Sequence, residues 1–244
     1  MRFAQPLTPG VLERRYKRFL ADVRLEDGSL ITCHCPNTGS MLGCKEPGSR
    51  VWLSRSDNPK RKYAFTWELV ELPGRALVGI HTGRANGMVR EALEQGRIPA
   101  LADYPVIRPE VRIPEWRTRI DFLLSGHAST ADAYVEVKNV TAAVEEGVAL
   151  FPDAVSDRGT RHLQHLQKLV AEGCRAALIF CVQRDDVTEV RPADRIDPAY
   201  GRALREAIAN GVEVHALGAD VNEQTIELRR RLPVVCPTSE LSPT

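Results

Sequence analysis

The chain has 244 residues, 43% of them hydrophobic and 27% charged, and a formal net charge of +1. This composition is typical of a globular protein, and the length allows one large domain or two of ordinary size. No apolar run approaches the ~20 residues that a membrane span requires, and residues 1–6 lack the apolar core of a secretory signal. We therefore expect a cytoplasmic protein without a membrane partner.

The charged residues are distributed unevenly. Residues 1–80 contain 13 Lys and Arg against 8 Asp and Glu, whereas residues 81–244 contain 20 against 24. Lys and Arg displace the counterions of a phosphate backbone, so the basic first third is expected to attract nucleic acid, although such asymmetry also arises by chance. The six cysteines form no disulfide-type pattern, which agrees with a cytoplasmic location.

The first 80 residues have the pattern of a small all-β unit. Alternating apolar residues over 19–25, the turn pair Asp27-Gly28 and the apolar run 30–34 predict a hairpin. Further short strands are predicted at 51–53, 63–70 and 76–80. Five strands with evenly spaced turn signals indicate a barrel or a sandwich.

Two groups of cations in this unit are candidates for nucleic-acid binding. They are Arg14, Arg15, Lys17 and Arg18, and then Arg55, Lys60, Arg61 and Lys62. The second group precedes Tyr63, Phe65 and Trp67, which alternate onto one strand face. Cations beside aromatic rings would suit single-strand binding, but such a row is more often the core face of a barrel. The cations are therefore stronger evidence for nucleic-acid binding than the aromatic rings.

The segment 33–44 contains three cysteines and a histidine. Zinc sites usually combine two separated pairs of ligands, and no second cluster follows this one, so zinc is disfavoured. Residues 36–40 are better interpreted as a polar turn, whose backbone amides could contact a phosphate.

After residue 82 the pattern changes to that of an α/β domain. It begins with a helix at 86–95, followed by strands at 106–113, 118–124 and 133–138. A second helix around 163–170 ends at Gly173 and leads to a strand at 177–182. A third helix runs from Asp197-Pro198 to Ile208 and is followed by a strand at 212–217. This order predicts a mixed sheet with helices packed on it. The Ser/Thr/Pro-rich tail at 237–244 is expected to be loose.

Acidic residues and a lysine fall in two of these strands. Asp121 lies in 118–124, and Glu136 and Lys138 lie in 133–138, where the period of two directs both side chains to one face. Two carboxylates can hold a divalent cation, and an ammonium can orient water or neutralise a phosphate. The pattern favours phosphodiester chemistry, and the alternative is a buried Glu136–Lys138 ion pair without catalysis.

Three residues that follow these strands are candidates for substrate contact. Asp153, Arg158 and His162 lead into the next helix, where an arginine can clamp a phosphate and a histidine can act near neutral pH. Arg158 and His162 could equally structure the loop. Glu91 could add a carboxylate, but an ordinary exposed helical glutamate beside Arg90 is the favoured interpretation.

The arrangement Asp121…Glu136-x-Lys138 resembles the PD-(D/E)xK nuclease superfamily, although Ile120 rather than proline precedes the aspartate. The whole chain resembles the sugar fermentation stimulation protein A family. The stretches that carry this second resemblance are 15–22, 34–41, 56–63, 119–122, 136–138 and 151–155.

The resemblance implies an OB-like barrel at 1–82, a PD-(D/E)xK-type α/β domain with a central mixed sheet at 83–236 and a tail at 237–244. It also implies a DNA-binding protein, with Mg²⁺ or Mn²⁺ held by Asp121, Glu136 and the backbone carbonyl of Val137.

Two functions are therefore expected from the sequence. The first is a DNA-binding protein with a metal-dependent nuclease site formed by Asp121, Glu136 and Lys138. The second is a non-catalytic DNA-binding regulator of sugar metabolism that retains the pocket. A sugar-responsive metabolic enzyme has no support from a phosphate-binding glycine loop. The sequence leaves RNA as an alternative ligand, and leaves strandedness and oligomeric state open.

Overall fold

A computed structural model describes residues 1–116, 118–143 and 147–237, so most of the predicted tail lies outside the described residues. The first domain is a β-barrel made of β1 (Thr8–Tyr16), β2 (Leu20–Leu25), β3 (Leu30–His34), β4 (Arg50–Arg55), β5 (Phe65–Glu71) and β6 (Leu77–Gly79). The strand order is β3-β2-β1-β4-β5-β6, and the His34–Thr66 pairing of β3 with β5 closes five strands into a barrel. The expected OB-like barrel is confirmed.

Turn chemistry sets the first hairpin, as predicted. Gly28 has a φ of +83° between β2 and β3, a conformation that glycine adopts without strain. The Asp27 carboxylate accepts hydrogen bonds from the amide and hydroxyl of Ser29 at 2.9 and 2.6 Å. These hydrogen bonds hold the turn residues, which have no cross-strand partners, and so fix the register of the two strands.

Strand β1 was not predicted, and β5 begins at Phe65 rather than at residue 63. The pattern of β1 is hidden by Pro9, Gly10 and the charged run that follows Leu12, which is buried in the barrel core. The segment is a strand because it pairs with β2 on one side and β4 on the other, which its own sequence does not indicate.

The second domain is a mixed six-stranded sheet with helices on both faces, as expected. Its helices are α1 (Ala85–Glu94), α2 (Asp157–Ala171) and α3 (Pro198–Ala209), and its strands are β7 (Val106–Ile113), β8 (Thr118–Ser125), β9 (Ala133–Val140), β11 (Arg175–Val182), β13 (Glu213–Val221) and β14 (Ile226–Leu232). The order is β14-β13-β11-β9-β8-β7, with β9, β11 and β13 parallel. Every residue of β11 after Arg175 is buried, because helices cover the sheet on both sides.

The start of α3 has the predicted cap. Asp197 accepts the Tyr200 amide at 3.0 Å ahead of Pro198, and its second oxygen accepts the Ser156 amide at 2.8 Å. Ser156 in turn caps α2 by accepting the Gly159 amide at 3.0 Å. The two N-termini are therefore tied together, which fixes how α2 and α3 pack over the sheet.

The predicted order of elements omitted three strands. Strand β10 (Gly147–Phe151) pairs in parallel with β12 (Val187–Pro192) as a separate two-stranded sheet, and β14 adds an antiparallel edge to β13. Each is short or interrupted by charged residues, so none shows a clear period of two. No helix in the described part of the chain is long and apolar enough to cross a membrane.

The N-terminal segment joins the barrel to the second domain. The Met1 amine donates to Glu91 at 2.6 Å, the Ile226 amide donates to the Met1 carbonyl at 3.0 Å, and Phe3 packs in the core beneath α1. Glu91 is therefore engaged by the chain terminus. This position agrees with the interpretation that kept it out of the carboxylate cluster.

Candidate functional site

Strands β8 and β9 separate at the position of Asp121. They pair from Leu124 and Ala133 to Phe122 and Val135, where the ladder ends. Beyond this point the Asp121 carboxylate accepts the Val137 amide at 2.7 Å through one oxygen, and the Asn86 side chain at 2.9 Å through the other. A side chain thus takes the place of a backbone acceptor at this edge of β9.

Glu136 and Lys138 face this region from the same side of β9, as the period of two predicts. The Lys138 ammonium lies 2.6 Å from Glu136 Oε1. His162 reaches in from α2, where its Nδ1 contacts the same Glu136 oxygen and lies 3.2 Å from the Lys138 amine. We call Asp121, Glu136 and Lys138 the carboxylate–lysine site.

The two carboxylates of the site differ in their electrostatics. Burial and the neighbouring charge of Glu136 raise the pKa of Asp121 above its usual range. Burial also opposes ionisation of Glu136, but the hydrogen bond from His162 and the charge of Lys138 outweigh burial and lower its pKa. Glu136 is therefore ionised at neutral pH, and its charge disfavours a second negative charge on Asp121. Such a pair is stabilised by any added positive charge.

One carboxylate oxygen of the site is left free. Glu136 Oε2 is buried and has no hydrogen-bond partner among the residues that the structure describes. A buried acceptor without a partner is costly unless a donor or a cation occupies the space beside it.

The three predicted substrate-contact residues, Asp153, Arg158 and His162, do not lie together in one place. Asp153 accepts the Met41 amide at 3.0 Å and so anchors the barrel loop to the second domain. Arg158 donates to His162 Nε2 at 3.3 Å through its Nε, which leaves its outer nitrogens available. His162 and Arg158 therefore adjoin the carboxylate–lysine site, whereas Asp153 has a structural contact.

The first group of barrel cations is largely engaged within the fold. Arg15 donates to the carbonyls of Asn37 and Gly39, each at 2.9 Å, and Arg18 donates to the Thr38 carbonyl at 3.0 Å. Arg14 pairs with Asp22 at 2.8 Å. Lys17 is exposed and, with the others, flanks the turn between β1 and β2.

Two backbone amides in and beside the turn at 36–40 are engaged by side chains. The Gly39 amide is taken by the Asn37 side chain at 2.9 Å, and the Met41 amide by Asp153. The Gly39 amide is therefore already satisfied, and contact of the other amides of this turn with a phosphate stays a prediction. A Cβ on Gly39 would lie 2.6 Å from an Asp153 oxygen, which explains the glycine.

The second group of barrel cations is exposed. Arg55, Lys60, Arg61 and Lys62 all lie at the surface near the start of β5. Arg61 donates to the Thr66 hydroxyl at 3.0 Å, and Lys62 lies 5.5 Å from the centre of the Tyr63 ring. Trp67 is fully buried in the barrel, which agrees with the core interpretation, while Phe65 is partly exposed.

The cysteines of the segment 33–44 belong to the barrel core. Cys33, Cys35 and Cys44 are all buried. Burial raises the pKa of Cys33 to about 12 and that of Cys44 to about 11, which disfavours the thiolate that a metal would need. The Cys44 thiol instead donates to the Thr141 carbonyl at 3.6 Å, across the two domains.

Two sets of residues near the site were not predicted. The first is Asn86, which holds Asp121 from α1. The second lines a groove between the β7–β8 hairpin and α2, and comprises Arg112, Trp116, Arg119, Arg161 and His165. The helical spacing of Arg158, Arg161, His162 and His165 is a signal that could have identified one wall of this groove.

Together the fold and the site define a two-domain protein, in which a closed five-stranded barrel is joined to a mixed α/β sheet that carries two carboxylates and a lysine at a split between strands. Family models match both parts. The "SfsA N-terminal OB domain" matches residues 14–80, and the "Sugar fermentation stimulation protein RE domain" matches residues 83–225. The chain belongs to the sugar fermentation stimulation protein family.

Individual relatives agree over nearly the full length. A sugar fermentation stimulation protein homolog of Alkalilimnicola ehrlichii is 61% identical, over 97% of this chain and 100% of the relative. The homolog of Geobacter sulfurreducens is 54% identical over 95% of this chain and 97% of its own. Among solved structures, Pyrococcus furiosus SfsA in complex with Ca²⁺ has a TM-score of 0.83 and 28% identity, over 96% of this chain and 98% of that one.

Proposed function

We propose that this protein binds DNA and carries a divalent-metal-dependent phosphodiesterase site at Asp121, Glu136 and Lys138. The observation that carries the proposal is the split between β8 and β9, which holds the partly buried Asp121, the buried Glu136 and a lysine beside an unpartnered acceptor, Glu136 Oε2. A purely structural ion pair would not need Asp121 to interrupt the sheet.

The residues present fit a hard divalent cation. Asp121, Glu136 Oε2 and the Val137 carbonyl would be its protein ligands, and all three are oxygen donors, which Mg²⁺ and Mn²⁺ prefer. Within residues 1–116, 118–143 and 147–237 no three His, Cys, Asp or Glu side chains form a ready metal cage. Few protein ligands suit Mg²⁺, because it usually retains several waters. The relative from Pyrococcus furiosus was solved in complex with Ca²⁺, another oxygen-seeking cation.

The chain's own residues supply the rest of the chemistry. When bound, the cation would neutralise charge on a phosphate and make a bound water more acidic. The Lys138 ammonium would orient the attacking water or contact the scissile phosphate. Its hydrogen bond to Glu136 positions it, and His162 supports both side chains from α2.

A second candidate function rests on a specific observation. Glu136 Oε1 is already shared by Lys138 and His162, which is also how a purely structural buried ion pair would be arranged. In that case the protein would be a non-catalytic DNA-binding regulator, and the pocket would serve the fold.

A cleavage assay separates the two functions. Purified protein is incubated with plasmid and oligonucleotides in Mg²⁺ or Mn²⁺, beside Glu136→Ala and Lys138→Ala variants purified in the same way. We expect cleavage that requires the metal and is abolished in both variants. Equal cleavage by all three proteins would indicate a contaminant, and binding without cleavage by the unmodified protein would favour the regulator.

DNA binding by the barrel is tested through its salt dependence. Each phosphate contact that a substitution removes should flatten the slope of log affinity against log salt by about 0.9 for duplex DNA, so Lys60→Ala/Lys62→Ala should flatten it by about 1.8. Arg61 is left in place because it supports Thr66.

The matched control for that measurement is Arg24→Ala/Arg50→Ala. Arg50 begins β4, at the opposite end from Arg55, and both control residues are exposed. An equal flattening in both doubles would show that net charge, rather than this surface, governs binding.

A further inference from the structure

A basic groove adjoins the carboxylate–lysine site. It has a volume of about 810 Å³ and lies between the β7–β8 hairpin and α2, with His162 among its lining residues. Because His162 also contacts Glu136 and Lys138, the groove and the site adjoin at this residue. The arginines that line it are Arg112, Arg119, Arg158 and Arg161, and we call it the arginine groove.

The charges of the arginine groove are poorly compensated. No acidic side chain lines it in the part of the chain that the structure describes. Arg119 pairs with Glu110 at 2.6 Å, and the other three arginines have no ion-pair partner among the described residues. Arg112 and Arg119 are also direct neighbours across the β7–β8 ladder, where like charges repel. An anion in the groove would relieve this repulsion.

An aromatic pair stands beside these cations. The Trp116 and His165 rings are stacked with centroids 5.4 Å apart and planes inclined by 23°, and the Lys168 amine lies 5.6 Å from the Trp116 ring centre. Trp116 is only partly buried. Burial is the main cause that lowers the pKa of His165, and the charges of Lys168 and Arg161 act in the same direction.

We infer that the arginine groove holds an unpaired segment of DNA, with its phosphates on the arginines and a base against Trp116, and leads that strand to the carboxylate–lysine site. This inference rests on the proposed function and names its substrate as a single strand or an unpaired end. Cations that follow a backbone beside rings that stack bases are the two elements of single-strand binding.

The dimensions and the stacking surface both favour a single strand over a duplex. Pockets of about 300–1,000 Å³ enclose ligands of drug size, which is roughly the size of one or two nucleotides. Bases in a duplex are stacked on each other, so Trp116 has no base to contact unless the strand is unpaired. A duplex would lie across the groove and contact only its rim.

Tryptophan fluorescence tests the stacking directly, in the full-length protein. Trp52 and Trp67 are buried in the fold, so Trp116 is the ring that an oligonucleotide can reach. We expect oligodeoxythymidine, in EDTA to prevent cleavage, to quench the fluorescence saturably, and a duplex of equal length to quench it little. Trp116→Phe should abolish the quenching but keep the affinity measured by anisotropy, whereas Trp116→Ala should weaken that affinity about tenfold.

The arginines are tested by salt dependence with a matched control. Arg112→Ala/Arg161→Ala should flatten the salt slope for the single strand by about 1.4, since each phosphate contact accounts for about 0.7. Arg195→Ala/Arg202→Ala removes the same charge from an exposed position just before α3 and one within it, both outside the groove, and should leave the slope unchanged.

The outcomes distinguish this inference from the proposed function. Equal quenching by duplex and single strand, or equal slopes in the two arginine doubles, would overturn the groove assignment while metal-dependent cleavage could still be observed. Absence of cleavage, with the quenching and the slope changes as expected, would overturn the catalytic proposal and leave the groove assignment standing. A protein that binds neither oligonucleotide would overturn both.

Discussion

Replacing Lys138 by glutamine is expected to lower the rate of metal-dependent DNA cleavage by about 10²–10³-fold, which is the usual effect of removing one group that stabilises developing charge. Glutamine keeps a donor for Glu136 but has no charge. Lys138→Arg should not restore the rate, because a planar guanidinium cannot replace a compact ammonium that lies 2.6 Å from Glu136. The measurement is single-turnover cleavage of an oligonucleotide in Mg²⁺.

Two controls isolate the chemical role of this lysine. Lys45→Gln removes the same charge from the loop before β4 and should cleave like the unmodified protein. Titration with Ca²⁺, followed by thermal unfolding, should show that Lys138→Gln still binds the cation and that Asp121→Asn does not. Cleavage by Lys138→Gln at the unmodified rate would exclude Lys138 from catalysis and favour a purely structural ion pair with Glu136.

Replacing Arg84 by methionine is expected to lower the free energy of unfolding by about 3–5 kcal/mol, because it leaves a buried carboxylate without its partner. Arg84 precedes α1 and donates to both oxygens of Glu68 at 2.6 and 2.5 Å. Glu68 lies in β5 and is 1% exposed, and its other partner is the Ser54 hydroxyl at 2.6 Å. The pair therefore joins the barrel to the second domain.

Urea unfolding of further variants tests that assignment. The double Glu68→Leu/Arg84→Met removes both charges and should recover most of the stability, since a buried pair contributes little net stability over apolar residues. The exposed pair Arg90–Glu94, at 2.8 Å on α1, provides the comparison, and Arg90→Ala should lower stability by less than about 1 kcal/mol. A decrease in Arg84→Met no larger than that in Arg90→Ala would contradict the buried-pair account.

The arginine groove changes where nucleic acid is expected to bind. The net charges of the two parts of the chain predicted binding at the barrel, but there Arg15 and Arg18 form hydrogen bonds with the turn at 36–40. The second domain is acidic in sum, yet Arg112, Arg158 and Arg161, which have no ion-pair partner among the described residues, lie together in the arginine groove. Net charge of a segment is a poor guide to local potential, because acids that pair elsewhere do not compensate cations gathered in one groove.

Local patterns were sufficient for much of the fold. The helices α1 and α3, the strands β8, β9 and β11, and the hairpin of β2 and β3 all follow from periodicity and turn residues within a single segment. The same reasoning placed Glu136 and Lys138 on one face of β9, since that depends only on the alternation of side chains along one strand.

Features that depend on a distant partner emerged only once the chain was folded. Strands β1 and β14 are ordered by neighbours rather than by their own patterns, and Asp121 reaches Val137 because β8 and β9 separate. The arginine groove exists only because a hairpin and a helix that are far apart in the chain pack side by side. The local sequence specifies which face of each helix or strand is apolar. Which elements then pack against each other is decided by the packing of the whole chain, and no single segment contains that information.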